Sequence, residues 1–220
     1  MGRDTATRAD AYDRWFEEPW GRYAFAIEAQ SLGEGMGPVD GDLVLDAGCG
    51  TGRFALELAR AGGGVVGLDI DRSMLVVAAR RLSVPFVVAD VGDLPFGDGA
   101  FDAAVAITVL EFVPDPDRAF AELVRVTRPG GRVVVGALNP RSFWGMIHRR
   151  RGEPWAGARF LSPSDLASLG ARYGDDVAVS GALWAPGPIP GLRRVGPVLE
   201  RVGRRFPRWG AFQVLVVRRR

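Results

Sequence analysis

The sequence has no lysine, one cysteine and one histidine, and the first two shortages exclude whole classes of chemistry. All 28 basic residues are arginine, so a Schiff-base lysine and the lysine of a phosphate-binding loop are excluded. The single cysteine, Cys49, excludes an internal disulfide and a cysteine-based zinc site. No apolar run approaches the roughly 20 residues that span a bilayer, and the polar stretch Met1 to Arg14 is not a secretion signal. We therefore expect a cytoplasmic protein without a transmembrane segment.

The composition is that of a globular protein, but its charge is unevenly distributed. The 220 residues are 47% hydrophobic and 25% charged, which is typical of one α/β domain with a full core. Residues 1–136 hold 13 arginines and 21 acids, a net charge of −8, whereas residues 137–220 hold 15 arginines and 5 acids, a net charge of +10. The basic part is either a set of solvated helix faces or a cap that attracts an anionic substrate, an acidic partner or a membrane surface.

The most informative segment is an apolar run that ends in an acid and a glycine turn. Residues 43–52 read Leu-Val-Leu-Asp-Ala-Gly-Cys-Gly-Thr-Gly, and a helical stretch and a second apolar run ending at Asp69 follow. Strand, glycine turn, helix and strand make half of a nucleotide-binding α/β domain. A dinucleotide site would have a third glycine where Arg53 stands, and Asp46 before the turn would repel a pyrophosphate. A ligand that is cationic near the loop fits better, such as S-adenosylmethionine, with Asp69 placed to accept hydrogen bonds from both ribose hydroxyls.

Five motifs in order make the chain similar to a known family. The motifs are Asp46-Ala47-Gly48-Cys49-Gly50-Thr51-Gly52, Gly67-Leu68-Asp69-Ile70-Asp71 with Ser73-Met74-Leu75, Ala89-Asp90-Val91-Gly92-Asp93-Leu94-Pro95-Phe96, Phe101-Asp102 and Arg128-Pro129-Gly130-Gly131-Arg132. With these motifs the chain resembles the class I S-adenosylmethionine-dependent methyltransferases over roughly residues 40–138, in particular their small-molecule "type 11" group. The resemblance implies an α/β fold: a Rossmann-like, seven-stranded, mostly parallel sheet with helices on both faces and an antiparallel last strand.

The chain is predicted to be a single methyltransferase domain, 1–220, in three parts. Residues 1–40 form an N-terminal helical cap that Pro19 splits in two, residues 41–138 form the cofactor-binding core, and residues 139–220 hold lid insertions and C-terminal strands. The predicted strands cover about 42–47, 64–69, 85–90, 101–107, 132–138, 177–184 and 212–217, and helices are predicted over 52–61, 72–82, 115–126 and 162–169. Residues 139–160 are predicted to be an irregular lid, and 186–208 a second insertion.

The predicted cofactor residues follow from the glycine turn and from the resemblance. Three glycines allow a close approach of the backbone to the ligand and a positive φ. Asp69 is assigned to the ribose and Asp71 to capping the next helix. The resemblance implies that Tyr12 closes over the cofactor, Asp90 accepts from the adenine amino group and the backbone N–H of Val91 reaches the ring. The full predicted set is Tyr12, Asp46, Gly48, Cys49, Gly50, Gly52, Asp69, Ile70, Met74, Asp90, Val91 and Thr108.

Two residues are candidates for acid–base chemistry on the acceptor. Glu111 follows strand four, at the edge where ligands bind in open α/β sheets, and is interpreted either as a general base or amine ligand or as a solvated loop residue. His148, the sole histidine, lies in the predicted lid and is either a base or a structural residue. No metal site is predicted, because no metal-ligand cluster occurs and a sulfonium methyl group is electrophilic without one.

The leading hypothesis is an S-adenosylmethionine-dependent methyltransferase that acts on a small molecule by in-line displacement. The acceptor is expected to be apolar or anionic, and the protein a monomer or homodimer. The alternative is a non-catalytic S-adenosylmethionine-binding regulator or subunit. An NAD-dependent oxidoreductase is disfavoured by Asp46 and Arg53, and nucleic-acid binding by the lack of a recognised module and of an Asn/Asp-Pro-Pro-Tyr motif after strand four.

Overall fold

The computed structural model describes residues 2–148, 157–174, 176–185, 187–188 and 191–220 and shows the predicted sheet; for residues 2–7, 147, 148 and 193 it describes the backbone alone. Seven strands form one sheet in the order β3-β2-β1-β4-β5-β7-β6, in which β7 runs antiparallel to both of its neighbours. The other pairs are parallel. The strands are β1 (Leu43–Ala47), β2 (Gly64–Asp69), β3 (Phe86–Val88), β4 (Phe101–Ile107), β5 (Thr127–Leu138), β6 (Val177–Ala182) and β7 (Phe212–Arg218).

Helices cover both faces of this sheet. Because the central strands are buried on both sides, they read as nearly continuous apolar runs, and Val44, Leu45, Val105 and Val134 are fully buried. One apolar core forms under the fifth and seventh helices and the other under the second and third. The helices are α1 (Gly2–Trp15), α2 (Pro19–Met36), α3 (Arg53–Arg60), α4 (Arg72–Arg81), α5 (Pro116–Val126), α6 (Phe143–His148), α7 (Pro163–Ala171) and α8 (Leu192–Gly203).

Local capping chemistry explains where several helices begin. Pro19 is the first residue of α2, as predicted, since proline fits the first helical turn but not the interior. Asp71 accepts from the N–H of Ser73 at the start of α4, and Asp115 accepts from the N–H of Arg118 at the start of α5. Ser162 and Asp165 form a reciprocal capping box on α7.

Two predictions about these elements were wrong, and one helix was not predicted. Strand β5 begins at Thr127, not at about 132, because Thr127 pairs with Phe101 and a bulge then absorbs the Pro-Gly-Gly turn before Arg132 pairs with Ala103. The lid at 139–160 is not irregular throughout, since α6 lies within it; its residues 149–156 lie outside the described part. The second insertion contains α8, which the prolines of that stretch concealed.

The C-terminal insertion lies at the carboxyl edge of the parallel strands. Ala182, the last residue of β6, pairs with Phe212 at the start of β7, and Phe212 also pairs with Leu138 at the end of β5. The chain between β6 and β7 therefore leaves and re-enters the sheet at this edge. Buried Glu200 of α8 anchors it, accepting from the N–H groups of Leu183 and Trp184 at 3.1 and 3.0 Å.

Candidate functional site

The glycine turn after β1 is held against β2 by backbone hydrogen bonds. Its glycines at 48, 50 and 52 all have positive φ, at 76°, 52° and 75°, as predicted. The N–H groups of Gly48 and Cys49 both donate to the carbonyl of Leu68, at 2.6 and 2.8 Å. A side chain on Gly48 would also collide with Val109, since its Cβ would lie 2.3 Å from Val109 Cγ2. The turn is thus packed directly against the segment that follows β4.

Asp69 at the end of β2 fastens the same turn. Its Oδ2 accepts from the N–H of Gly50 at 2.8 Å, and its Oδ1 accepts from the N–H of Asp71 at 2.8 Å. Burial raises the pKa of this carboxyl, while the two N–H donors lower it in part. Each oxygen keeps a second lone pair, so Asp69 orients the turn and still has acceptor capacity for two hydroxyl groups.

Asp46 is the least accessible acid of the turn. Only 1% of it is exposed, and its Oδ2 has no hydrogen-bond partner among the described residues. Burial and the nearby charge of Asp69 raise its pKa to about 7, against the N–H of Ala55, which lowers it. A buried oxygen without a donor is costly. Together with Asp69 it makes the turn electronegative, which fits a cationic ligand and disfavours a pyrophosphate.

Helix α1 is clamped over the turn by a charge network that the sequence did not indicate. Asp13 accepts from Thr51 Oγ1 at 2.8 Å, from Arg53 Nε at 2.9 Å and from Arg81 Nη2 at 2.8 Å. These donors hold the pKa of Asp13 below its ordinary value in spite of partial burial. Arg53, in the position of the missing third glycine, therefore binds the N-terminal helix.

Tyr12 reaches the turn because of this clamp. It precedes Asp13, and its Cε1 would lie 3.8 Å from a Cβ placed on Gly50. Its ring meets Phe16 edge to face, with centroids 5.2 Å apart. The side chain of Cys49 is 7% exposed, and burial and the charges of Asp46 and Asp69 raise the pKa of its thiol, so Cys49 packs and is not an activated nucleophile.

The predicted adenine residues line the outer end of the same edge. Ile70 is 69% exposed, and Met74 on α4 is half-buried. Asp90 is exposed and accepts from the N–H of Gly92 at 2.8 Å, whereas the side chain of Val91 is buried. An exposed isoleucine beside an acid and a methionine offers apolar contact and a hydrogen-bond acceptor to a planar ring.

The segment after β4 holds the predicted acceptor residues. Thr108 has a positive φ of 51°, an unusual conformation for a β-branched residue, and its Oγ1 donates to the carbonyl of Ile107 at 2.8 Å. Glu111 is 1% exposed, so its interpretation as a solvated loop residue was wrong. Its Oε1 accepts from the N–H of Leu138 at 2.7 Å, its Oε2 has no partner among the described residues, and burial raises its pKa to about 7. The side chain of His148 lies outside the described residues.

Glu28 on α2 is a second acid in this region that the sequence did not indicate. It is 8% exposed, and burial and the charge of Glu111 raise its pKa to about 7. Its helical neighbours Ala24 and Leu32 are buried, so an apolar residue is the expected occupant of this position. The sequence feature that could have identified Glu28 is an acid at a position on the apolar face of a helix.

Exposed apolar side chains accompany these acids at the carboxyl edge. Phe112 after β4 is 48% exposed, and Phe143 and Met146, one turn apart on α6 after β5, are 58% and 48% exposed. Trp144 and Trp184 are half-buried, Trp209 is 61% exposed, and Trp155 lies outside the described residues. The edge thus combines an acidic interior with an apolar rim. Among the described residues no group of three or more histidines, cysteines or acids is arranged to hold a metal ion.

Comparisons with known proteins agree with this geometry. Residues 45–135 match the family model "Methyltransferase domain". A demethylmenaquinone methyltransferase of Thermobifida fusca is 38% identical over 165 residues, which are 67% of this chain and 69% of that protein. A protein of Methanocaldococcus jannaschii without an assigned activity is 32% identical over 166 residues, 73% of this chain and 75% of that protein.

A solved structure has a similar fold over nearly the whole length of this chain. A Thermotoga maritima structure described as an S-adenosylmethionine-dependent methyltransferase, "possible histamine N-methyltransferase", superposes with a TM-score of 0.78 at 26% identity. The match covers 98% of this chain and 97% of that one. Other relatives match over less of their length: the demethylmenaquinone methyltransferase of Clavibacter sepedonicus is 43% identical, over 42% of that protein.

Proposed function

Because the chain belongs to the class I S-adenosylmethionine-dependent methyltransferases, we propose that it methylates a small molecule held above the carboxyl ends of β4 and β5. The observation that carries this proposal is the contact between Val109 and Gly48, which joins the acceptor segment to the cofactor turn. Glu111 follows two residues later, and the exposed apolar residues of α6 lie at the end of the neighbouring strand. An apolar rim with a few buried polar groups is typical of small-molecule sites.

The residues of the turn fit S-adenosylmethionine. We assign Asp69 to the ribose hydroxyls, Asp90 and Val91 to the adenine edge, Ile70 and Met74 to its face, and the field of Asp46 to the cationic end of the ligand. When bound, S-adenosylmethionine supplies a methyl group made electrophilic by the sulfonium. The chain's own residues then have three tasks: to align the acceptor for in-line attack, to exclude water and to receive an acceptor proton where there is one.

Water is excluded from the site by residues that lie outside the sheet, on α1, α6 and α8. Tyr12 is held over the glycine turn by the Asp13 clamp, and α6 and α8 lie at the same edge from the other side. Exposed apolar side chains on α6 are suited to contact an organic acceptor. No helix in the described part of the chain is long and apolar enough to cross a membrane.

The relatives suggest two kinds of acceptor for testing. Their names include demethylmenaquinone methyltransferases, whose named acceptor is a quinone, and a possible histamine N-methyltransferase, whose named acceptor is an amine. Both are small molecules. They support our proposal of a small-molecule acceptor; the cytoplasmic location and the monomeric or dimeric state of the protein stay predictions.

Labelled methyl donor tests the proposal directly. Purified protein is incubated with methyl-labelled S-adenosylmethionine and either small amines and phenols or a mixture of protein and RNA. We expect label to pass to small molecules only, and Asp69→Ala to abolish transfer while Glu57→Gln, on the surface of α3, leaves it unchanged. Transfer to the macromolecules would contradict a small-molecule acceptor, and tight donor binding without any transfer would favour the non-catalytic alternative.

A further inference from the structure

We infer that Glu28 and Glu111 form a buried carboxyl pair that binds the ammonium group of an amine acceptor and receives its proton. This inference rests on the proposed function and narrows its substrate class. It would add Glu28, which no sequence motif indicated, to the acceptor site.

The first support is the unequal use of the two oxygens of Glu111. Oε1 is fixed by the N–H of Leu138 at 2.7 Å, while Oε2 has no donor among the described residues although the residue is 1% exposed. The backbone is fixed as well, because the N–H of Arg159 donates to the carbonyl of Glu111 at 2.7 Å. A rigidly held carboxyl oxygen without a donor in the interior is a position that a ligand's N–H can fill.

The second support is the position of Glu28. It lies on the buried face of α2, between Ala24 and Leu32, and this face packs in the same core as Ile107 and Leu138, the last residues of β4 and β5. That core surrounds the backbone to which Glu111 is bonded. Both residues are thus anchored to the same core where two sheet strands end, and the charge of Glu111 raises the cost of charging Glu28.

The third support is that no cation in the described part of the chain pairs with these two acids. Among the described residues no arginine forms an ion pair with Glu28 or Glu111, although ten pairs occur elsewhere. Among the described residues, Tyr12 of α1 also lies in the field of Glu28, and it is neutral at physiological pH because burial and nearby acids raise its pKa. Buried acids are normally paired with a cation, so the missing partner points to a cationic ligand.

Methyl transfer to such an amine balances in atoms and electrons. A protonated amine passes one proton to a carboxylate of the pair, which frees the nitrogen lone pair. The nitrogen then forms a bond to the methyl carbon while the carbon–sulfur bond breaks, and its electron pair goes to sulfur. The product is a methylated ammonium and S-adenosylhomocysteine, and no oxidant, metal or further reactant is required.

The test compares matched ligands that differ in charge. Thermal shifts are measured at pH 8 with saturating S-adenosylhomocysteine and either 2-phenylethylamine, histamine or the neutral isostere 2-phenylethanol. We expect both amines, and not the alcohol, to stabilise the wild type. The dissociation constant of the amines should rise on the order of tenfold or more in Glu111→Gln, with a smaller rise in Glu28→Gln. Glu57→Gln is the matched surface control.

Each outcome separates the inference from the proposed function. Equal shifts with amine and alcohol, no shift with either amine, or full amine affinity in both glutamine variants would overturn the amine site. Methyl transfer to a phenol with no amine binding would overturn it as well, yet leave the small-molecule methyltransferase standing. S-adenosylhomocysteine affinity, measured by calorimetry, should be unchanged in Glu111→Gln, which shows that a weakened amine response does not come from a damaged cofactor turn.

A pH profile provides the second readout. The ratio kcat/KM for amine methylation should rise as the pair ionises and level off above about pH 7 in the wild type. In Glu28→Gln the repulsion is gone, so the rise should move to lower pH. A profile that does not move would overturn the pairing of the two acids.

Discussion

The acids at the two ends of the candidate site differ in how their oxygens are used. On the cofactor side, both oxygens of Asp69 accept backbone N–H groups and thereby shape the glycine turn. On the acceptor side, only one oxygen of Glu111 has a donor, and buried Glu28, whose pKa the charge of Glu111 raises, has no ion-pair partner among the described residues. Asp69 therefore uses both of its oxygens within the described part of the chain, whereas Glu111 keeps one oxygen without a donor, as the deeper Asp46 does under the glycine turn.

This difference predicts which side of the candidate site, the cofactor side or the acceptor side, tolerates substitution. Residues that organise the turn serve the fold and the ligand together, so their loss should damage both. Residues whose polar groups serve only to bind a ligand should tolerate substitution with little loss of stability. One such substitution, Glu28→Gln, should raise the stability. Four substitutions test this contrast, from the largest expected effect to the smallest.

Asp69→Ala should have the largest effect because it removes the acceptor of two backbone donors and of the ribose hydroxyls at once. We expect the affinity for S-adenosylhomocysteine to fall on the order of 100-fold, or about 3 kcal/mol, in titration calorimetry. Asp71→Asn, which keeps a helix cap at the neighbouring acid, is the control. Unchanged affinity in Asp69→Ala would remove Asp69 from the ribose site.

Gly48→Ala should destabilise the protein by about 2–3 kcal/mol, since alanine is strained at this positive φ and its Cβ would collide with Val109. Urea denaturation of Gly48→Ala, Val109→Ala and the double variant measures the coupling between the two segments. We expect the double variant to recover part of the loss. Strict additivity would mean that the turn and the acceptor segment are not in contact.

Asp13→Ala should cost about 2 kcal/mol of stability, because it leaves two half-buried arginines, Arg53 and Arg81, without their shared acid. It should also loosen α1 and release Tyr12 from the glycine turn, which amide hydrogen exchange across α1 can follow. Exchange in β1, in the sheet interior, provides the internal reference. If α1 were equally protected in the variant, the Asp13 clamp would not be what holds it.

Glu28→Gln should have the smallest effect, with a sign that depends on pH. The raised pKa of about 7 means that the folded protein keeps a proton that the unfolded chain releases, so this residue lowers stability as pH rises from about 4.5 to 7. The stability of Glu28→Gln relative to wild type should therefore increase by on the order of 1 kcal/mol between pH 5 and pH 8, as measured in thermal melts. If the difference in stability between the two proteins stayed constant with pH, folding would not raise the pKa of Glu28.

Much of the cofactor half was predictable because it consists of local patterns. Apolar strands ending in Asp46 and Asp69, glycines at alternate positions and the capping role of Asp71 follow from backbone requirements that act within a few residues. The structure confirmed the positive φ of all three glycines and the seven-stranded sheet. The sheet order also brings Gly50 and Asp69 together, as expected for adjacent parallel strands.

The acceptor half was less predictable because its residues come from distant elements. Glu28 and Glu111 are separated by β1, β2, β3, β4 and the helices α3 and α4, and no local pattern relates one to the other. The same holds for Asp13, Arg53 and Arg81, which meet only because α1 crosses the turn. Helix α8 was hidden for another reason, because Pro197 and the surrounding prolines outweighed a helical pattern that tertiary packing stabilises.

The sequence by itself determined the strand-turn-helix unit, the class of methyl donor and the acids that face it, because backbone sterics and charge act locally and leave a readable spacing. Only the tertiary structure decided that Glu111 and Glu28 are buried and that Arg53 holds α1. The physical reason is that burial and pairing depend on which elements cover a residue, and for these residues the covering elements are distant in the sequence.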